Sequence, residues 1–379
     1  MAKRNKTVTA KDVAAAAGVS QSTVSMILNN YSNVSFSEET RNRVLAACVS
    51  TGYRGITTSS ASPKERFILM VCPSCENLDY ARNIKAIQQR SIELGYTSFI
   101  LSTFRDPYVE NDILRYLKTM PFAGVIFLYQ PQNIYLLSQI SKLYPTVTVC
   151  DRIDGMDLDA IELNSFKVGK VIANHLLELG HRHIAYIAMQ INEKYITRLM
   201  RLQGIQEVYR QYGYDVEDSI KVCTFDTEKI NPEKYTSEYE SGFILTNRAL
   251  DRYDNITAIV GNNDMTCYGV ISALQKRKLR VPQDYSVCGC DNVMLSGLHS
   301  LSLTTVEHYG HLRAVDAVNM LVKKIESQNV NGSDDDLPNS ITRVEYEPKL
   351  VIRSSTGDAA TLRRHGADKN RSAQGDSTK

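Results

Sequence analysis

Tryptophan is absent from the 379 residues. Ligand binding therefore has no indole signal and is best followed by calorimetry. No apolar run reaches the ~20 residues that a membrane-spanning helix requires. The basic start Met1-Ala2-Lys3-Arg4-Asn5-Lys6 leads into no apolar signal core. A cytoplasmic protein with no membrane partner is expected. There is no G-x-S-x-G, no Walker A string and no H-E-x-x-H, which excludes the nucleophile elbow, the phosphate loop and the metalloprotease helix. No catalytic residue, cofactor or metal site is expected.

A chain of this length is too long for one core and suits two or three. Apolar content of 43% and charged content of 23% are those of a soluble globular protein. The net charge of +2 hides an uneven distribution. Residues 1–54 carry seven Lys or Arg (Lys3, Arg4, Lys6, Lys11, Arg41, Arg43, Arg54) against Asp12, Glu38 and Glu39, a net of +4. The last 23 residues carry +2, which leaves −4 on the body between them. Only the first segment suits a phosphate backbone. The eight cysteines read as thiols. Cys72-Pro73-Ser74-Cys75 and Cys288-Gly289-Cys290 read as small buried residues at strand ends, with a thiol or metal sensor as the alternative.

From Thr9 to Gly52 the residues describe three short helices. Thr9 caps the first and Asp12 follows three positions later, as in a capping box. Val13, Ala14 and Ala17 form its apolar face, and Gly18 ends it because a tight turn there favours a residue without Cβ. Ser20 caps a second helix, with Val24, Ile27 and Leu28 inward. Ser37 caps a third, with Val44, Leu45 and Cys48 inward and Gly52 at its end. Two helices around a Gly-Val-Ser turn with a third to cover them make a helix-turn-helix unit.

Residues 55–66 are rich in Ser and Thr, hold Pro63 and show no apolar period, so they read as a linker. From Phe67 onward, continuous apolar runs of strand length alternate with helical patterns, twice over. The fold class is therefore α/β, a small all-α headpiece followed by two doubly wound lobes of parallel sheet over 67–356. Such sheets bind ligands beyond the carboxyl ends of their strands. The candidates there are Asn77 to Tyr80, Tyr129, Asp151, Arg152, Phe225, Asn262 to Asp264, and Asp291. Asp264 also reads as a cap for the helix that follows it. Residues 357–379 are small, polar and charged, and are expected to be disordered.

The strings Asp12-Val13-Ala14, Ala17-Gly18-Val19-Ser20, Ser22-Thr23-Val24-Ser25, Leu28-Asn29 and Glu39-Thr40-Arg41 closely resemble the headpiece of the lactose-repressor (LacI/GalR) family. In the body, Asp151-Arg152, Leu179-Gly180-His181-Arg182-His183, Arg201 with Gly204, Asn263-Asp264, Val281-Pro282 and Asp291-Asn292 resemble the same family. The resemblance implies a periplasmic-binding-protein-like core with three chain crossings, and a homodimer on a palindromic DNA operator. It implies DNA contact through Thr9, Ser20, Gln21, Ser22, Thr23, Ser25, Met26 and Asn29, with Gln21, Ser22 and Met26 reading bases. It implies a small-molecule effector, most often a carbohydrate and in a minority of members a purine, on Tyr80, Asp151, Arg152, Arg201, Phe225 and Asp291. His181 and His183 fall in a turn and read as interlobe residues. The tail lacks the leucine repeat through which some members tetramerise. The implied function is a transcription regulator, most often a repressor. A regulator answering to a protein partner, or to thiol or metal state, stays open. A solute-binding protein would have no use for the headpiece.

The linker departs from the family's pattern. Where members have a hinge helix with an Arg and a Leu that wedges into the minor groove, Ser60 and Ser62 stand here, before Pro63. Thr and Ser are mediocre helix formers, and Pro63 disfavours a helical Ser62. A serine cannot act as an apolar wedge. A flexible linker, little central kink in the operator and weak effector–DNA coupling are expected. Circular permutation of the bound operator measures the bend. A sharp kink that survives Ile56→Ala, the one apolar substitute, would refute the expectation.

Overall fold

The structure, a computed structural model, describes residues 8–28, 34–53, 66–152, 155, 157–225, 237–330 and 340–362. Asn29, linker residues 55–65 and tail residues 363–379 lie outside the described residues. The chain divides into two compact units, Met1–Glu65 and Arg66–Lys379. Among the described residues no helix is long and apolar enough to cross a membrane.

The first unit holds α1 (Ala10–Ala17), α2 (Gln21–Leu28) and α3 (Glu38–Thr51). Thr9 N and Oγ1 both donate to Asp12 Oδ2, at 2.8 and 2.7 Å. Gly18 adopts φ 67°, a left-handed turn that L side chains rarely enter. Ser20 Oγ accepts from Thr23 N at 3.0 Å and Ser37 Oγ from Thr40 N at 3.2 Å. Val13, Ala14, Ala17, Val24, Ile27, Val44 and Ala47 form the core. Leu45, expected inward, is 47% exposed. The helical repeat that buries Val44 brings Ala47 inward next and turns Leu45 away.

The second unit has two lobes. The first contains β1 (Phe67–Cys72), α4 (Leu78–Glu93), β2 (Thr97–Ser102), α5 (Pro107–Thr119), β3 (Phe122–Phe127), α6 (Ile134–Leu143), β4 (Thr146–Cys150) and β5 (Asp159–Glu162). The second contains α7 (Ser165–Glu178), β6 (Ile184–Ile187), α8 (Ile196–Gln211), α9 (Val216–Ser219), β7 (Ile220–Cys223), α10 (Glu238–Arg252), β8 (Ala258–Gly261), α11 (Asp264–Lys276), β9 (Ser286–Cys290) and β10 (Thr304–Glu307). Then α12 (Gly310–Val330) and β11 (Arg343–Glu345) return to the first lobe, and β12 (Lys349–Val351) goes back to the second. The chain thus crosses between lobes three times, as expected. The sheet orders are β11-β5-β4-β3-β1-β2 and β12-β10-β9-β8-β6-β7, the same order twice. All pairs are parallel except β10 with β12.

Every residue of β4, β6, β8 and β9 is buried, because helices cover both faces. Ala314, Ala317, Val318 and Leu321 of α12 close one face of the first sheet over Ile68, Met70 and Ile126. In the second lobe α7 and α8 meet backbone to backbone. A Cβ on Gly204 would lie 2.1 Å from the Phe166 carbonyl oxygen, and one on Gly169 would lie 2.1 Å from that of Arg201. Gly242 and Gly269 do the same for α10 and α11.

Disorder was expected from Gly357, but the fold continues to Leu362. Gly357 O accepts from His181 Nε2 at 3.0 Å, Gly357 N donates to Ser286 Oγ at 3.0 Å, and Ala359 N donates to Leu179 O at 2.8 Å. These bonds satisfy polar groups at the end of α7 and beside β9 that would otherwise be buried unpaired. His181 therefore works within the second lobe, not between lobes; its Nδ1 accepts from Thr257 Oγ1 at 2.8 Å, and burial pushes the ring down to about 4.

Gly204→Ala should destabilise the second unit by about 1–3 kcal/mol or more, since backbone rather than a flexible side chain must give way. Urea denaturation measures it; an unchanged midpoint would mean that α7 and α8 separate without penalty.

Candidate functional site

On α2 the buried Val24 and Ile27 fix which side faces out. Gln21 and Ser22 are exposed in the first turn, and Thr23, Ser25 and Met26 are half-buried on the flanks. Ser20 Oγ also pairs with Ser22 Oγ at 2.7 Å and Thr23 Oγ1 at 2.8 Å. The Ser20 hydroxyl is thus a helix-capping group and the Thr9 hydroxyl is held by the Asp12 carboxylate, whereas the Gln21 side chain is exposed on the outer face. The described part of this unit carries Lys11, Arg41 and Arg43 against Asp12, Glu38 and Glu39, no net charge. The whole excess of +4 comes from Lys3, Arg4, Lys6 and Arg54, outside the described residues.

The second site lies between the lobes of the second unit. The carboxyl ends of β1, β3 and β4 face those of β6, β8, β9 and the turn after β10 across a cavity of about 160 Å³. Its lining includes Tyr80, Tyr129, Arg201, Asp291, His308 and Arg313. Asp291, just after β9, holds φ 115°, a strained value for a residue with a Cβ. Its carboxylate oxygen accepts from His308 Nε2 at 3.0 Å. Arg313 donates to His308 Nδ1. A guanidinium can only donate, so His308 carries its proton on Nε2 and is neutral. Burial, reinforced by the Arg313 charge, pushes that ring down to about 3. Burial, with Asp79 opposite, pushes the Asp291 carboxyl well above the usual range. Arg201 donates to the backbone oxygen of Asn262.

Contacts among the described residues join the lobes across the cavity. Asn77 Nδ2 donates to Glu238 Oε2 at 2.5 Å. Arg82, bonded to Asp79 Oδ1 at 2.7 Å, also donates to the backbone oxygens of Asp291 at 3.0 Å and Asn292 at 3.3 Å. The Arg105 guanidinium lies 4.8 Å from the Tyr129 ring centre and 5.3 Å from that of Tyr195.

Cys290, Asp291 and His308 bring a thiol, a carboxylate and a ring nitrogen within 4.8 Å of one another. They do not suit a metal ion. Both imidazole nitrogens are engaged, burial holds the Cys290 thiol far up, and buried guanidinium groups crowd the same point. The other thiols are free as well. Cys72 and Cys288 are buried, as expected, but Cys75 is exposed on the loop after β1, where its Sγ is 3.3 Å from Ser102 Oγ.

Residues 9–55 match the family of bacterial regulatory proteins described as the lacI family, and residues 173–356 match the periplasmic binding protein-like domain. The transcriptional regulator DegA of Bacillus subtilis is 30% identical over 302 residues, 78% of this chain and 85% of the relative. The transcriptional repressor PurR of Histophilus somni is 29% identical over 355 residues, 92% of this chain and 98% of the relative. A solved complex of the transcriptional regulator CelR with cellobiose shares the fold at a TM-score of 0.62, with 22% identity, 92% of this chain and 99% of that one covered. The chain belongs to the lacI family. Its first unit is that family's DNA-binding domain, and its second is the family's small-molecule-binding core.

Of the six effector residues that the lacI-family resemblance implied, Tyr80, Arg201 and Asp291 line the cavity. Asp151 does not line it: its carboxylate accepts from Ser165 N at 2.7 Å and Ser165 Oγ at 2.8 Å, fastening the start of α7. Arg152 is exposed and lies beside a separate depression with Glu162 and Arg343. Phe225 packs on the core of the second lobe beneath Arg248, whose guanidinium is 5.4 Å from the ring centre. A position after a strand does not decide on which side of the strand end a side chain emerges. Asp264 does not cap α11; Asn263 does, accepting from Thr266 N at 3.0 Å. Asp264 instead accepts from Val293 N at 3.1 Å and from Ser296 Oγ and Thr305 Oγ1 at 2.5 Å each. The reading missed Arg105, Tyr195, Arg198, Glu238, His308 and Arg313. His308 carried a signal, since Thr304 to Glu307 is a strand and His308 follows its carboxyl end.

Asp151→Ala should lower stability by about 1–3 kcal/mol, by leaving buried donors at α7 unpaired, without removing a ligand contact. Denaturation and ligand calorimetry on one preparation separate the two; lost binding at unchanged stability would restore the effector role.

Proposed function

We propose that the chain is a transcriptional repressor, acting in the cytoplasm as a homodimer on a palindromic operator. A small molecule in the interlobe cavity sets its DNA affinity. One headpiece reads one half-site, so a palindrome calls for two copies. The observation that carries the reading is the floor of the cavity, where Arg201 Nε and Asn83 Oδ1 are buried without a hydrogen-bond partner among the described residues. Buried polar groups are ordinarily satisfied, and a ligand between the lobes would satisfy these. Donors, acceptors and the rings of Tyr80 and Tyr129 favour a polyhydroxylated compound, a carbohydrate in the broad sense. Because the lobes touch through the groups around the cavity, a ligand there favours one lobe arrangement over another, which is how it would act on the headpieces.

Fluorescence anisotropy with operator DNA, after binding-site selection, tests both halves. Gln21→Ala should change preference at one base pair per half-site, at a cost of about 1–3 kcal/mol, because Gln pairs bidentately with adenine. Arg201→Ala and Asp291→Ala should leave operator binding in place and abolish the effector response. The same consensus for Gln21→Ala would remove the reading role, and a normal response in both cavity variants would move the effector elsewhere.

A further inference from the structure

Arg313 heads the largest fully buried side chains, at 2% exposure. It lies in the first turn of α12, just after the chain re-enters the first lobe, and its guanidinium lines the interlobe cavity. One nitrogen donates to the neutral His308 ring. Nε and the other terminal nitrogen are buried with no hydrogen-bond partner among the described residues. A guanidinium cannot shed its charge at physiological pH. Burying such a charge with unmet donors is strongly unfavourable unless a counter-charge joins it.

The nearby carboxylates supply that counter-charge only in part. Asp79 stays ionised and its charge reaches Arg313, but its hydrogen bonds go to Arg82 at 2.7 Å and Asn83 Nδ2 at 3.1 Å, and the free Arg313 donors receive none of them. Asp291 takes the His308 proton donor and is pushed towards its neutral form. Arg201, 3% exposed, adds a second buried guanidinium with an unmet Nε. Both guanidinium charges act on His308 and on Cys290, so they stand around one part of the floor. Asn83 Oδ1, also unmet, adds an acceptor for a hydroxyl beside them. Gly310 keeps α12 tight against this cluster: a Cβ there would lie 2.6 Å from Asn83 Oδ1 and 2.9 Å from Asp79 Oδ1.

We propose that the effector is anionic: a polyhydroxylated compound whose carboxylate or phosphate sits on Arg313 and Arg201, and not a neutral sugar. The inference rests on the small-molecule reading above and narrows it to one ligand class. A planar carboxylate and a phosphate both match the guanidinium fork, so the test carries both.

The full chain is melted in sodium phosphate, acetate and chloride at equal ionic strength. The wild type should melt higher in phosphate or in acetate than in chloride, and whichever raises it more names the anion. Arg313→Met should lose that rise. It should also melt no lower than the wild type in chloride, because it removes a buried charge with two unmet donors; a purely structural arginine would give a lower melt. Arg313→Lys should keep part of the rise. Equal melting of the wild type in all three salts, or an equal rise in Arg313→Met, overturns the proposal. Operator release is then measured with glucose against gluconate, glucuronate and glucose 6-phosphate, and with galactose against galacturonate. An acidic sugar should act at concentrations roughly a hundredfold below its neutral counterpart, the worth of a charged hydrogen-bonded contact. If a neutral sugar releases the operator as well as its acidic partners do, the anionic class falls and small-molecule control stands. If no sugar of either class acts and denatured protein releases no small molecule, both fall.

Discussion

Helices cover both faces of each sheet, and this double burial constrains everything else in the second unit. A strand sealed on both sides has no side chain to offer for recognition, as the fully buried β4, β6, β8 and β9 illustrate. Polar chemistry is displaced to the strand ends. Because both sheets run in the same order, their carboxyl ends form two matching rims. Three crossings hold those rims opposite one another, and a cavity between them follows.

The rims are held by contacts that leave little freedom. Gly169 and Gly204 let α7 and α8 touch along the backbone, which sets the position of Arg201 one turn before Gly204. Arg82 ties Asp79 of one lobe to the carbonyls after β9 in the other. His308 passes one hydrogen bond from Arg313 to Asp291. Arg82 and Arg313 find partners across the cavity or at the next crossing, so a ligand that engages one of these groups changes the balance for the others. A packed, low-dielectric floor carries such changes as shifts between discrete arrangements.

The DNA-binding unit separates two tasks. Its fold rests on small apolar residues and hydroxyl caps and is electrically neutral over the described residues. The net positive charge of residues 1–54 comes from Lys3, Arg4, Lys6 and Arg54, before and after the three helices in the sequence. The outer face of α2, where base reading is proposed, holds uncharged side chains. Salt should thus govern how tightly the unit binds far more than where it binds.

The sequence by itself determined the three capped helices, the alternation of strand and helix, the two lobes and the rule that placed Tyr80 and Asp291 at the cavity; Arg201, inside a helix, came only from the family resemblance. The others follow from local signals: a cap, a turn residue, an apolar period, a strand end. It left open which way each strand-end side chain turns. Only packing sent Asp151 back to the start of α7 and laid Phe225 against the core of the second lobe. The short strands β5, β11 and β12 were also illegible, because three or four residues carry too little period to detect and depend on a neighbouring strand for their hydrogen bonds. Arg313 is the clearest case. In the sequence it is one basic residue near the start of an amphipathic helix, where a solvated position is the ordinary expectation. The third dimension buries it, because the chain crosses back to the first lobe just before it and seats that first turn in the floor of the cavity.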